Sequence, residues 1–140
     1  MAEELQIAPG TTLKVVAHSR EALEFEASYE PGGSPPPPHL HPAQDERFEV
    51  ISGAMRTRIA GEEGTLVQDE VLEIPRGTVH QMWNDGDSPA VLRWVTTPAG
   101  RTLDWFREMA ALRAGGEPLG DPATVLERYA DTFRLGDAQP

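Results

Sequence analysis

The strongest constraint on this chain is a period of two that is repeatedly cut short. Leu23, Phe25, Ala27 and Tyr29 alternate with Glu24, Glu26 and Ser28, which gives an extended segment one apolar and one polar face. The run Pro31-Gly32-Gly33-Ser34-Pro35-Pro36-Pro37-Pro38 then interrupts it. Such a run predicts a turn followed by a stiff extended arm, because proline cannot donate to a central strand ladder. Phe48 and Val50 alternate with Arg47 and Glu49 up to Gly53; Met55, Thr57 and Ile59 alternate with Arg56 and Arg58 up to Gly61 and Gly64. Further strands are expected at 71–74, 79–83 and 90–96, with breaks at Pro75-Arg76-Gly77 and Asn84-Asp85-Gly86-Asp87. Many short strands at regular spacing predict an all-β sandwich or barrel.

After Gly100 the period changes. Leu103, Trp105, Phe106, Met109, Ala110 and Leu112 predict an amphipathic helix from about Thr102 to Arg113, stopped at Gly115-Gly116. Asp121-Pro122 has the character of a helix N-cap with proline at the first helical position. Val125, Leu126, Tyr129 and Phe133 would form one face of a second helix ending before Gly136. The division expected is therefore a barrel over 1–100 and a two-helix extension over 101–140. About forty residues are too few for an independent core, so the extension should pack on the barrel or on a neighbouring subunit.

A length of 140 residues favours one domain. The net charge of −11 argues against nucleic acid or an anionic membrane as partner, since both require a positive field. The acidic start MAEELQIAPG does not have the character of a signal peptide, and no apolar run is long enough to cross a bilayer, so a cytoplasmic location is expected. With no cysteine, any metal must be held by nitrogen and oxygen ligands.

The four histidines are His18, His39, His41 and His80. On a strand, the i, i+2 spacing of His39 and His41 puts both imidazoles on one face. Glu46 shares its parity with Phe48 and Val50 and should point inward, where a carboxylate is costly unless protonated, paired or bound to a metal. His80 shares parity with Met82 just after a Pro-x-Gly turn. Three imidazoles and a carboxylate suit Fe, Mn, Ni, Co, Cu or Zn and leave positions open for water or substrate. Gln44 is a further candidate contact to metal, water or substrate. Phe48, Met55, Met82 and Trp94 are candidates for the wall of a cavity, with Phe25, Tyr29 and Leu72 beside them. Trp83 has the opposite parity from His80 and should face away. His18 is expected at a surface or edge, and Asn84 as a turn former.

At these residues the chain resembles the cupin superfamily, in its small single-domain bacterial form. Gly33-x5-His39-x-His41-x4-Glu46-x6-Gly53 resembles the first cupin motif, and Asp69-x5-Pro75-x-Gly77-x2-His80-x3-Asn84 the second. Asp69 is the one departure, standing where the family usually has glycine; it should accept the same left-handed turn. The resemblance covers roughly residues 20–97. It implies a double-stranded β-helix, or jelly-roll barrel, of six to eight strands. It also implies one divalent transition metal bound at His39, His41, Glu46 and His80.

The function this implies is a metal-dependent enzyme, dioxygenase- or lyase-like, acting on a small organic molecule in the barrel. Glu46 would be both ligand and, when detached, general base. The alternatives are a non-redox cyclase or isomerase of polyketide type and a binding cupin without turnover. Cupins commonly pair barrels edge to edge, so a homodimer is expected.

Overall fold

A computed structural model describes residues 3–115 and 124–136. Gly116 and the expected helix start at Asp121-Pro122 lie outside the described residues. The strands run in the order β1 (Glu4–Ala8), β2 (Thr11–His18), β3 (Leu23–Tyr29), β4 (His39–Leu40), β5 (Asp45–Ser52) and β6 (Ala54–Ile59). They continue with β7 (Glu62–Val67), β8 (Val71–Ile74), β9 (His80–Trp83) and β10 (Ala90–Thr97). Helix α1 (Thr102–Ala114), a single turn α2 (Val125–Arg128) and the short strand β11 (Arg134–Leu135) complete the described chain.

The strands form two antiparallel sheets, ordered β1-β2-β3-β10-β5-β8 and β11-β4-β9-β6-β7. This is the expected all-β double-sheet barrel, and the core lies between the sheets. Alternation puts Leu23, Phe25, Ala27, Phe48, Val50, Met55, Leu92 and Trp94 inside, all buried. Register aligns the large rings: Trp94 pairs with Phe25 on one side and Phe48 on the other. Their centroids lie 5.3 and 5.2 Å from that of Trp94. Asp69 has φ 72°, so it takes the left-handed turn expected of it.

Three features differ from the expectation. Eleven strands occur among the described residues rather than six to eight, because the hairpin β1–β2 widens one sheet and the two-residue bridges β4 and β11 extend the other. Strand β7 pairs with β6 through the tight turn at Ala60-Gly61, where both residues have positive φ, so Gly61 starts a hairpin and does not merely close a strand. Among the described residues the second helix is only one turn long. After it the chain turns and joins the sheet, with Arg134 and Leu135 pairing with Leu40 and His39.

Helix α1 extends much as expected, and Gly115 ends it in the left-handed conformation at φ 71°. It buries Leu103, Trp105 and Phe106. The Phe106 ring stands edge-on to Phe25 and Trp94, at 5.6 and 5.3 Å, which plugs the helix into the barrel's aromatic row.

Candidate metal centre

The two motifs meet at one end of the barrel. His39 pairs with His80 across β4 and β9, and Glu46 lies on β5 between Ile74 and Thr96. His41 falls just beyond β4, where its carbonyl accepts a 2.9 Å hydrogen bond from the backbone N–H of Gly77. A second clip joins the same turn to β5. Asp45 accepts from the Arg76 backbone N–H at 2.8 Å and pairs with its guanidinium at 3.1 Å. That guanidinium holds the Asp45 carboxyl below the usual carboxylate range.

Ligand atoms of His39, His41 and His80 all lie within 4.8 Å of one another. Glu46 Oε1 is 3.3 Å from His41 Nε2 and 3.0 Å from His80 Nε2. Each ring is oriented by its other nitrogen. Nδ1 lies 3.1 Å from the carbonyl of Pro37 in His39, 2.9 Å from that of Thr132 in His41, and 2.9 Å from that of Thr78 in His80. A carbonyl can only accept, so Nδ1 carries the proton in all three rings and a neutral ring presents a bare Nε2 lone pair.

With the rings neutral, lone pairs and a carboxylate therefore converge with no donor among the described residues between them. His41 Nε2 and Glu46 Oε1 are buried without a hydrogen-bond partner among the described residues. Such a cluster requires positive charge, supplied by a proton or by a metal ion. The donor set fits a divalent transition metal: His39, His41 and His80 through nitrogen, Glu46 through oxygen.

The electrostatics agree. Burial, reinforced by His80 and His41, pushes the His39 pKa down to about 4, so its ring is neutral at pH 7. Burial works to raise Glu46, but His41, His80 and His39 outweigh it, and the carboxyl stays below its ordinary value. Burial also works to lower His80, and the facing Glu46 carboxylate reverses this, raising it.

Above the cluster opens a cavity of about 780 Å³. It is bordered by His39, His41, Glu46 and His80, by Phe48, Met82 and Trp94, and by Tyr29 at the end of β3. Burial, and then the Glu46 charge, pushes the Tyr29 phenol up, so it keeps its proton. Phe48, Met82 and Trp94 thus line the cavity. Gln44 and Met55, also candidates for this site, are buried but do not line the cavity. The Gln44 amide nitrogen fills the space that a side chain at Gly100 would occupy, and Met55 belongs to the core. Phe25 and Leu72 likewise do not border it.

Trp83 shares the outward face of β9 with Gln81, opposite Arg56 in register, with the Arg58 guanidinium 5.6 Å from its ring centroid. All four residues of β9 are nonetheless buried, and Trp83 also borders the cavity. On the outward face, Gln81 donates to the Pro36 carbonyl of the proline arm at 2.7 Å. His18 is exposed at the end of β2, and Asn84 is a buried turn former whose amide donates to the carbonyls of Ser88 and Tyr29 at 2.9 and 3.2 Å.

Sequence reasoning missed the contribution of the C-terminal segment. The Thr132 carbonyl orients His41, and the Phe133 ring stacks on His39 with centroids 5.0 Å apart and planes 22° from parallel. Phe133 and Trp105 line the cavity as well. A backbone carbonyl leaves no trace in residue type, and the spacing of Phe133 from Tyr129 predicts a helix face.

Comparison with known proteins agrees with this geometry. A family model described as the cupin domain matches residues 25–96, just over half of the chain. The chain is 37% identical over 60 residues to the tetracenomycin polyketide synthase protein TcmJ of Streptomyces glaucescens, covering 43% of this chain and 40% of that protein. It is 45% identical over 67 residues to the oxidoreductase IacF of Pestalotiopsis fici, covering 47% and 31%. The matches thus span less than half of either relative. Among solved structures, KdgF from Halomonas sp. superposes with a TM-score of 0.65 at 21% identity, covering 72% of this chain and 92% of that one. That likeness bears on the fold alone.

Proposed function

The chain belongs to the cupin-domain family, and from that premise we propose that it is a metal-dependent enzyme acting on a small, flat, oxygen-bearing aromatic molecule held in the barrel. One observation carries the reading: three rings committed through Nδ1 present Nε2 beside a buried carboxylate, at a cavity whose wall carries the rings of Phe48, Trp94, Trp105 and Phe133. His39, His41 and His80 would hold the metal with Glu46. When bound, a metal of the Fe, Mn, Ni, Co or Cu type supplies a Lewis-acid and redox centre, and zinc a Lewis-acid centre only.

The remaining roles belong to the chain. Phe48 and Trp94 offer ring faces for stacking a planar substrate, and Met82 an adaptable thioether contact. The apolar walls keep water scarce, which strengthens every polar contact made there. Tyr29 keeps its phenolic proton and can donate a hydrogen bond to a substrate oxygen. Glu46 is held ionised and is the group able to accept a substrate proton.

The first reading is a dioxygenase-like conversion with dioxygen as oxidant, which the similarity to a protein named an oxidoreductase supports, or a lyase-like cleavage that consumes no oxidant. A second reading is a non-redox cyclase or isomerase, supported by the similarity to a polyketide synthase protein. Both take the same class of substrate. Metal-free protein reloaded separately with Fe(II), Ni(II), Mn(II) and Zn(II) should be assayed on hydroxylated polycyclic aromatics by oxygen electrode and product analysis. Oxygen uptake with Fe, Ni or Mn but not Zn is the expected result. Turnover with Zn under anaerobic conditions, without cleavage of the substrate, would select the second reading. If wild type held no more metal than His80→Ala under metal-replete conditions, both would fall.

A further inference from the structure

We infer that residues 124–136, which lie outside the stretch matching the family, are a fixed cover that completes the candidate metal centre, with Thr132 and Phe133 as positioning residues for His41 and His39. The inference rests on the metal reading above but adds a part that the barrel motifs do not contain.

The cover touches the centre at two points. Thr132 is 1% exposed and gives its carbonyl to His41 Nδ1 at 2.9 Å, the contact that aims Nε2 inward. Phe133 lies flat on His39 and stands 6.1 Å, edge-on, from His41. His39 and His80 take their orienting carbonyls from residues two positions away in sequence, Pro37 and Thr78. His41 takes its own from ninety-one positions away. Its tautomer therefore depends on a segment that must first be docked.

The docking is specific. Thr132 and Phe133 donate their backbone N–H groups to the Tyr129 carbonyl at 2.8 and 2.9 Å, which sets the direction of the Thr132 carbonyl. Phe133 stacks on Trp105 of α1 at 4.6 Å, and Tyr129 packs edge-on against the same ring at 5.5 Å. Beyond them, β11 pairs with β4, and the Gly136 N–H donates to Pro38 at 2.9 Å. Charged ties reinforce this. Glu108, fully buried on α1, pairs with Arg128 at 2.8 Å, and Arg101 pairs with Asp131 and reaches the Arg128 carbonyl. Removing either partner of this pair would leave an uncompensated charge, so the tie is costly to break.

The test uses the full chain in metal-free form. Long-range 15N–1H spectra report which nitrogen of each histidine ring carries the proton, and Co(II) titration followed by visible absorption reports affinity. The wild type should show His41 protonated at Nδ1. In Phe133→Ala, and in the double variant Arg101→Gln/Glu108→Gln, His41 should become a tautomer mixture and Co(II) should bind about tenfold or more weakly. Phe133→Tyr keeps a ring to stack on His39 and should stay close to wild type. If Phe133→Ala does not fold, Phe133→Leu takes its place, since it keeps apolar volume without a ring. Folded variants with an unchanged His41 tautomer and unchanged Co(II) affinity would overturn the inference. A wild type that binds no Co(II) would instead sink the metal reading, while the tautomer spectra would still decide this one.

Discussion

At the scale of single residues, the decisive fact is that three imidazoles and a carboxylate are packed with their lone pairs facing one another. Burial holds His39 neutral down to about pH 4, whereas an unfolded chain protonates the same ring near its ordinary value of 6.5. Between those values the unfolded state binds a proton that the folded state refuses, so stability contributed here falls as pH drops from about 6.5 to 4. The full loss is about 3 kcal/mol by linkage. His80 acts in the opposite sense: its raised pKa contributes stability that is present below 6.5 and is lost as pH rises through the folded value. Urea unfolding of metal-free protein at pH 7, 5.5 and 4.5 should show wild type losing more stability on acidification than His39→Gln. Parallel curves for the two proteins would contradict this account of His39.

At the scale of elements, turns decide which strands can pair. Gly53, between β5 and β6, has φ 81°, and a Cβ there would lie 2.8 Å from Ala90 Cα and overlap the Pro89 carbonyl. Gly77 has φ 80° with nothing within 4 Å of the same position. Gly77→Ala should therefore cost only the left-handed backbone penalty, about 1–2 kcal/mol. Gly53→Ala must also push two strands apart and should cost about 4 kcal/mol or more, measured by chemical denaturation. Equal losses would mean that the β10 approach is softer than its geometry implies. These glycines were legible as turn residues because their neighbours alternate so cleanly. Strands β3, β5 and β6 were legible for the same reason, β8, β9 and β10 from the breaks between them, and helix α1 from its helical period. The hairpin β1–β2 was not, since its burial is thin: Leu5 and Leu13 are its only buried residues. The extent of α2 was misread because Tyr129 and Phe133 have helical spacing yet serve different ends, one packed on Trp105 and the other stacked on both Trp105 and His39. The histidines and Glu46 were readable from parity. The carbonyls that orient them were not, because residue type says nothing about a main-chain acceptor.

At the scale of the whole molecule, the centre is assembled from distant parts of the chain: β4 and the loop after it, β5, β9 and the cover segment. None of these carries the donor set alone, so an ion that binds the cluster binds the folded state and stabilises it by mass action. At a thousandfold excess over its dissociation constant the gain is about 4 kcal/mol, which for a domain of this size is a rise in melting temperature on the order of 10 °C. Chelator-treated protein should regain that increment on addition of Co(II) or Ni(II) and lose it again with excess EDTA. His80→Ala removes one nitrogen donor, the ring nitrogen 3.0 Å from the Glu46 carboxylate, so the variant should gain little on adding metal. Phe48→Leu alters the cavity wall without touching a donor and should keep the full increment. An equal metal-induced rise in wild type and His80→Ala would show that the ion binds elsewhere on an acidic surface, and the assembled cluster would lose its assigned role.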